Sequence, residues 1–292
     1  MLALGCSPKT YVLAQAADAL SATGEGGAFA RDDDPELVRD AVPFALKTME
    51  SLADELPDHL GLRLALARGF TQYGYAFVQQ EADEMADPDR AKALHERAAR
   101  LYLRARSHGL QGLKVGRGIS EAELRAKEQA RSPALRKLEK DDVPLLYWTL
   151  ASWAAAISQR KQDLELVGDV PAVAAMLDRA LQLDEAWDLG ALHEFAISFD
   201  PARPEGTTPA RQRAHFERAR ELGKGKKISA LVAYAEAVLG PAQDRKGFEA
   251  LLTEAIRFDA DLPQARDHRL ANLIAQRRAR FLLAHESDIL SD

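Results

Sequence analysis

The side chains able to do chemistry are few and poorly spaced for it. The 292 residues carry seven histidines and one cysteine, Cys6. His193-Glu194 opens like a zinc-binding HExxH, but the second histidine is absent at that spacing. A single cysteine excludes both a CxxC site and an internal disulfide. No GxSxG nucleophile elbow is present. Residues 109–119, GLQGLKVGRGI, hold four glycines and two bases. They lack GxxxxGK[ST] and no strand precedes them, so they read as a loop and not a phosphate cradle. Asp32, Asp33 and Asp34 are consecutive, whereas a calcium loop alternates its acids and closes on a glutamate. The expectation is no catalytic set, no metal and no cofactor. Positioned acid, base and nucleophile groups are what catalysis requires.

What remains is recognition. Phe70, Tyr73 and Phe77 recur at helical spacing, with Tyr75 directed elsewhere. Such rings form packing seams or line a groove. Tyr73, Phe77, Trp148, Trp153, Trp187 and Phe199 are the candidates for a cleft that takes an apolar ligand. The basic run Arg211, Arg213, Arg218, Arg220, Lys224, Lys226 and Lys227 is interleaved with Glu217 and Glu221, as on a solvated helix face. A formal net charge of −6 argues against non-specific nucleic-acid binding, which needs a basic field.

The elements that position these residues are helices. Asp34 as N-cap and Pro35 at the first turn start one helix, and Asp87-Pro88 starts another. Leu37, Ala41, Phe44 and Ala45 make the apolar face of the first, with Pro43 expected to kink or split it. Leu94, Ala98, Leu101 and Ala105 make the stripe of the second, which is expected to end at Ser107-His108-Gly109. In residues 180–195, one helix ends at Leu183, and Asp184 caps the next. Trp187, Ala191 and Phe195 then follow at i, i+4 and i+8. A helix hairpin this apolar cannot cover both its faces and must stack on another. The breaks at Asp184, Gly223 and Asp259 are 39 and 36 residues apart, close to the tetratricopeptide period of roughly 34. The pattern resembles degenerate tetratricopeptide repeats. The expected fold is all-α: stacked αα-hairpins forming one solenoid over residues 31–292, after a short helix and a glycine-rich flexible segment in residues 1–30.

Leu2-Ala3-Leu4-Gly5-Cys6 resembles the end of a bacterial lipoprotein signal, although the charged and apolar regions that should precede it are too short. Lipid attachment is therefore placed at Cys6. Five stretches in order, DDDPELVRDAVPFALK, GFTQYGYAFVQQEAD, DVPLLYWTLASWAAAIS, HFERARELGKGKK and QRRARFLL, resemble the T component of tetratricopeptide-associated TRAP transporters. That resemblance implies a periplasmic lipoprotein tethered to a bacterial membrane, the outer one. It implies a homotrimer whose subunits are perforated by a pore or cleft. It also implies a TRAP solute-binding protein as partner and an apolar small molecule as ligand. The alternative is a cytosolic tetratricopeptide adaptor for peptides or proteins, which gains if Met1 is the true start.

Overall fold

A computed structural model describes residues 8–22 and 27–291, with the side chains of residues 8–11 excepted. Every regular element among them is helical, and adjacent helices pack as pairs. In order these are α1 (Pro8–Ser21), α2 (Pro35–Glu55), α3 (Leu60–Tyr73), α4 (Gln80–Asp83) and α5 (Pro88–Arg117). Then come α6 (Glu121–Arg125), α7 (Glu128–Arg136), α8 (Val143–Gln159), α9 (Leu164–Val167) and α10 (Val170–Asp184). The last are α11 (Ala191–Phe199), α12 (Pro209–Gly223), α13 (Ser229–Tyr234), α14 (Arg245–Arg257), α15 (Arg269–Ala284) and α16 (Glu286–Ile289). A π-helical stretch, Gly74–Gln79, joins α3 to α4, and a second, Ala235–Leu239, continues α13.

Local chemistry starts these helices where the sequence says it should. Asp34 Oδ1 accepts from the Leu37 amide at 2.9 Å, and Asp87 Oδ1 accepts from Asp89 and Arg90 at 3.0 and 3.2 Å. Each satisfies amides that the first turn leaves unpaired. Pro43 sits inside α2 without ending it.

Three expectations are corrected. The glycine-rich residues 109–117 are not a loop, and Ser107-His108-Gly109 ends nothing: α5 runs through them for 30 residues and stops at Gly118, φ +62°. The glycines serve contact. A Cβ on Gly109 would meet Thr149 of α8, its Cα at 3.1 Å, and one on Gly112 would meet Leu145 at 3.0 Å. Burial of α5 against α3 and α8 outweighs the poor helix propensity of glycine, about 1 kcal/mol each. Second, α2 buries Val38, Leu46, Met49 and Ala53, while Leu37 and Phe44 are 59% and 80% exposed. Third, Asp184 does not cap a helix carrying Trp187. It ends α10, and Asp188, Leu189 and Gly190 follow with φ of +42°, +55° and +87°. The left-handed turn separates Trp187 from Phe195.

Arginines hold the turns. Buried Arg63 donates to the carbonyls of Ala53 and Pro57, and buried Arg131 donates to those of Leu124, Ala126 and Pro171. One apolar core runs from α1 through α11, and a second gathers α12 to α16. Helix α15 belongs to both, with Ile274 in the first and Ala275, Ala279 and Leu282 in the second. The same helix reaches the start of the chain. The Leu270 amide donates to Ala30 O at 3.0 Å, and Arg269 meets Asp33 at 3.1 Å. Arg277 meets Glu84 at 2.7 Å, and Arg278 meets Asp83 at 3.0 Å. The stack thus curves back until its last long helix touches its first hairpin.

Candidate ligand-binding lumen

Two tyrosines, Tyr75 and Tyr147, mark the candidate site. Tyr75 is 45% exposed, yet its hydroxyl pKa is pushed up to about 12, by burial first and by the charge of Glu236 second. A tyrosine on an outer face with that exposure would be solvated and keep its ordinary value. Tyr75 is thus accessible yet flanked by several elements, which makes it a candidate for the wall of a concavity. Arg278 opposes the upward shift of Tyr75 and Glu194 adds to it, so both lie near its hydroxyl. Tyr147 is half-buried, and its hydroxyl is likewise pushed well above its usual value, by burial and then by Glu194 and Asp188. The first π-helical stretch (Tyr75), α8 (Tyr147), α11 (Glu194), the second π-helical stretch (Glu236) and α15 (Arg278) therefore come near one another, and the region they share is the candidate lumen.

Both π-helical stretches supply a lumen residue. A π turn rotates the following side chains off the 3.6-residue register, and such turns concentrate at functional sites. Tyr75, directed away from the seam of Tyr73 and Phe77 by sequence, thereby turns inward. Gln80, 1% exposed, lies beside it, and neither of its amide atoms completes a hydrogen bond of good geometry. Arg278, 8% exposed, pairs with both Asp83 and Glu236. Burial is the first cause holding Asp83 above the usual carboxylate range.

The six aromatic candidates divide. Trp148 and Trp187 are half-buried and flank Tyr147, with ring centroids 4.9 and 4.7 Å away. Phe195 stands 6.3 Å from Tyr147, and Phe199 stacks behind Phe195 at 5.2 Å. Phe199 is 7% exposed and lies under Arg203. Tyr73 and Phe77 form a separate pair at 5.7 Å, each under a tenth exposed. Trp153 is wholly enclosed: its indole N–H donates to Asp169 at 3.0 Å and Arg106 covers its ring at 4.1 Å. It offers no surface to a ligand. Tyr147 and Phe195, at the centre of the cluster, were not among the sequence candidates. Their signal was present, since Tyr147 adjoins Trp148, but no periodicity distinguishes a lumen ring from a core ring. Cys6 lies outside the described residues.

His193 and Glu194 diverge. Glu194 accepts from Ser229 Oγ at 2.6 Å. His193 Nε2 meets Glu185 at 3.2 Å, and its Nδ1 meets His215 Nδ1 at 2.9 Å, with His215 Nε2 3.5 Å from Asp200. A carboxylate faces Nε2 of each ring, so the Nδ1···Nδ1 contact is made by a proton that either histidine can supply. This chain ties α10, α11 and α12 together. Two open hollows on the surface lie elsewhere, one along Lys246, Glu249 and Glu254, the other between Pro88, His95 and Gln159. No helix among the described residues is long and apolar enough to cross a membrane, and no three of their His, Cys, Asp or Glu side chains gather as a metal requires.

Residues 31–290 match the family described as TRAP transporter T-component. A protein of Treponema pallidum (strain Nichols), described as uncharacterized, is 30% identical over 311 residues, spanning 100% of this chain and 95% of its own.

Proposed function

The chain belongs to the TRAP transporter T-component family, a family of transporter accessory components and not of enzymes. From that premise we propose that it is a membrane-tethered binding subunit of a TRAP-type uptake system. It docks the system's solute-binding protein and passes an apolar ligand through its lumen. The observation that carries this reading is Tyr75, 45% exposed yet set among the charges of Glu194, Glu236 and Arg278 from three other helical segments. Half-buried Trp148, Trp187 and Phe195 supply the apolar surface that such a ligand needs. Exposed Leu37 and Phe44, one helical heptad apart on α2, supply an apolar stripe suited to the solute-binding protein or to the other subunits of a trimer. Attachment of lipid at Cys6 would hold the subunit at the periplasmic face of a membrane.

Pull-down of a TRAP solute-binding protein by the purified chain tests the docking. Retention by wild type, and at least tenfold weaker retention by the double variant Leu37→Ser, Phe44→Ser, is expected, since burying two large apolar side chains contributes roughly 1.5–3 kcal/mol each. No retention by wild type rejects the docking. Incorporation of a labelled fatty acid, abolished by Cys6→Ala, checks the anchor.

A further inference from the structure

The contact between His193 and His215 lies on the seam between the two apolar cores. Leu192, Ala196 and Phe199 of α11 belong to the first core, and Phe216 and Ala219 of α12 belong to the second. Polar links from α12 bridge this seam. Arg211 meets Asp200 at 2.7 Å, Gln212 donates to the Ile197 carbonyl at 3.1 Å, His215 meets His193 at 2.9 Å, and Arg218 meets Glu185. Arginine, carboxylate and amide keep their state near neutral pH, so the histidine contact alone among these links changes there.

The geometry of the pair is that of a shared proton. The facing nitrogens are 2.9 Å apart and the ring centroids 5.1 Å apart, so the rings point at each other nearly end-on. Two ligands of a four- or six-coordinate metal would converge at an angle instead. Three gaps run in line: Glu185 to His193 at 3.2 Å, His193 to His215 at 2.9 Å, and His215 to Asp200 at 3.5 Å. Three protons fill three gaps and leave one positive charge on the pair. A fourth, on the second ring, sets two N–H donors against each other between the nitrogens, where nothing accepts them.

The surrounding charges do not relieve that clash. Glu185 already meets Arg218, and buried Asp200 already meets Arg203 at 2.6 Å as well as Arg211. Glu194, the next residue of α11, turns away to Ser229 of α13. Among the described residues, no charged group of α8 or α13 bonds to either ring. Burial first, and then the charge of His215, hold the His193 pKa below its ordinary value, which postpones the fourth proton to lower pH.

We propose that the His193–His215 pair is an acid-released latch: one proton between the rings holds α12 to α11, and a second imidazolium pushes the two helices apart and opens the seam between the cores. The latch works whatever the molecule carries, so it stands or falls apart from the carrier reading.

Hydrogen exchange on the full chain at pH 7.5 and 5.0, corrected for the intrinsic pH dependence of amide exchange, tests this. On acidification the amides of α12 should lose protection about threefold or more relative to those of α5, as a local opening requires. In His215→Gln, whose amide can donate to His193 but takes up no proton, that ratio should be the same at both pH values. His193→Gln should behave alike and serves if the first variant does not fold, as judged by circular dichroism. In the wild-type chain labelled with 15N histidine, the two rings should titrate in two separated steps. Equal loss of protection in α12 and α5 overturns the latch, since it marks a global acid transition. A shift of the ratio that persists in the variants, or two rings that titrate independently, overturns it as well.

Discussion

His193 shows how a side chain that reads as chemistry from its neighbours becomes structural once its partners are known. Burial first, and then the nearby His215, lower its pKa. The folded protein therefore binds fewer protons at His193 than the unfolded chain does. Stability is complete above the unfolded value, near 6.5, and falls as pH drops from there toward the lower folded value. His108 and His268 are lowered as well, each mainly by burial, and act in the same direction. Urea unfolding between pH 7.5 and 5.5 should show the midpoint falling on acidification, with a shallower fall in His193→Gln. An equally steep fall in the variant would detach the effect from this residue. Trp153 teaches the same lesson from the apolar side. Its ring was as good a ligand candidate as Trp148, and only the placement of Arg106 and Asp169 around it makes it core.

At the scale of elements, α5 shows propensity losing to packing. Gly109 and Gly112 let α8 approach closely, and the helix continues because burying its stripe stabilises it more than the glycines cost. Gly109→Ala removes the propensity penalty, yet its methyl would press on Thr149, whose Cα would stand 3.1 Å away. Overpacking should win, with destabilisation of about 1–3 kcal/mol in a urea melt. Stabilisation would mean that α8 shifts freely. Helix starts, in contrast, were legible, because a cap involves residues within four positions of one another: Asp34 and Asp87 behave as their spacing predicts. Trp187 was not. Three successive left-handed residues break its helix; Gly190, and more weakly Asp188, are residue types that tolerate such a turn, while Leu189 gives no sign of it. Gly190 packs against Leu222 and Ala219 of α12, a contact made by distant chain.

For the whole molecule, closure depends on α15. Arg278 neutralises Asp83 from the first hairpins and Glu236 from the second π-helical stretch. Arg278→Ala leaves two carboxylates facing each other across the lumen. A stability loss of about 2–3 kcal/mol is expected, less than for a fully buried pair because Asp83 and Glu236 are partly solvated. Small-angle scattering should then show a larger radius of gyration, as the two ends of the stack separate. An unchanged radius would mean that the Leu270–Ala30 hydrogen bond and the Ile274 contacts close the ring alone.

The amino-acid sequence alone determined that this chain folds as serially stacked helices, where many of them start, and which family it resembles. Those features arise from apolar periodicity and from caps, interactions between residues a few positions apart. Only the tertiary structure decided which rings are enclosed and which stay partly open. Two π turns, a left-handed break after Trp187 and ion pairs between distant parts of the chain, such as Arg269 with Asp33 and Arg277 with Glu84, set those directions. A ring that faces a lumen and one that faces a core share the same spacing along the helix. What separates them is the chain packed opposite, which the local pattern does not contain.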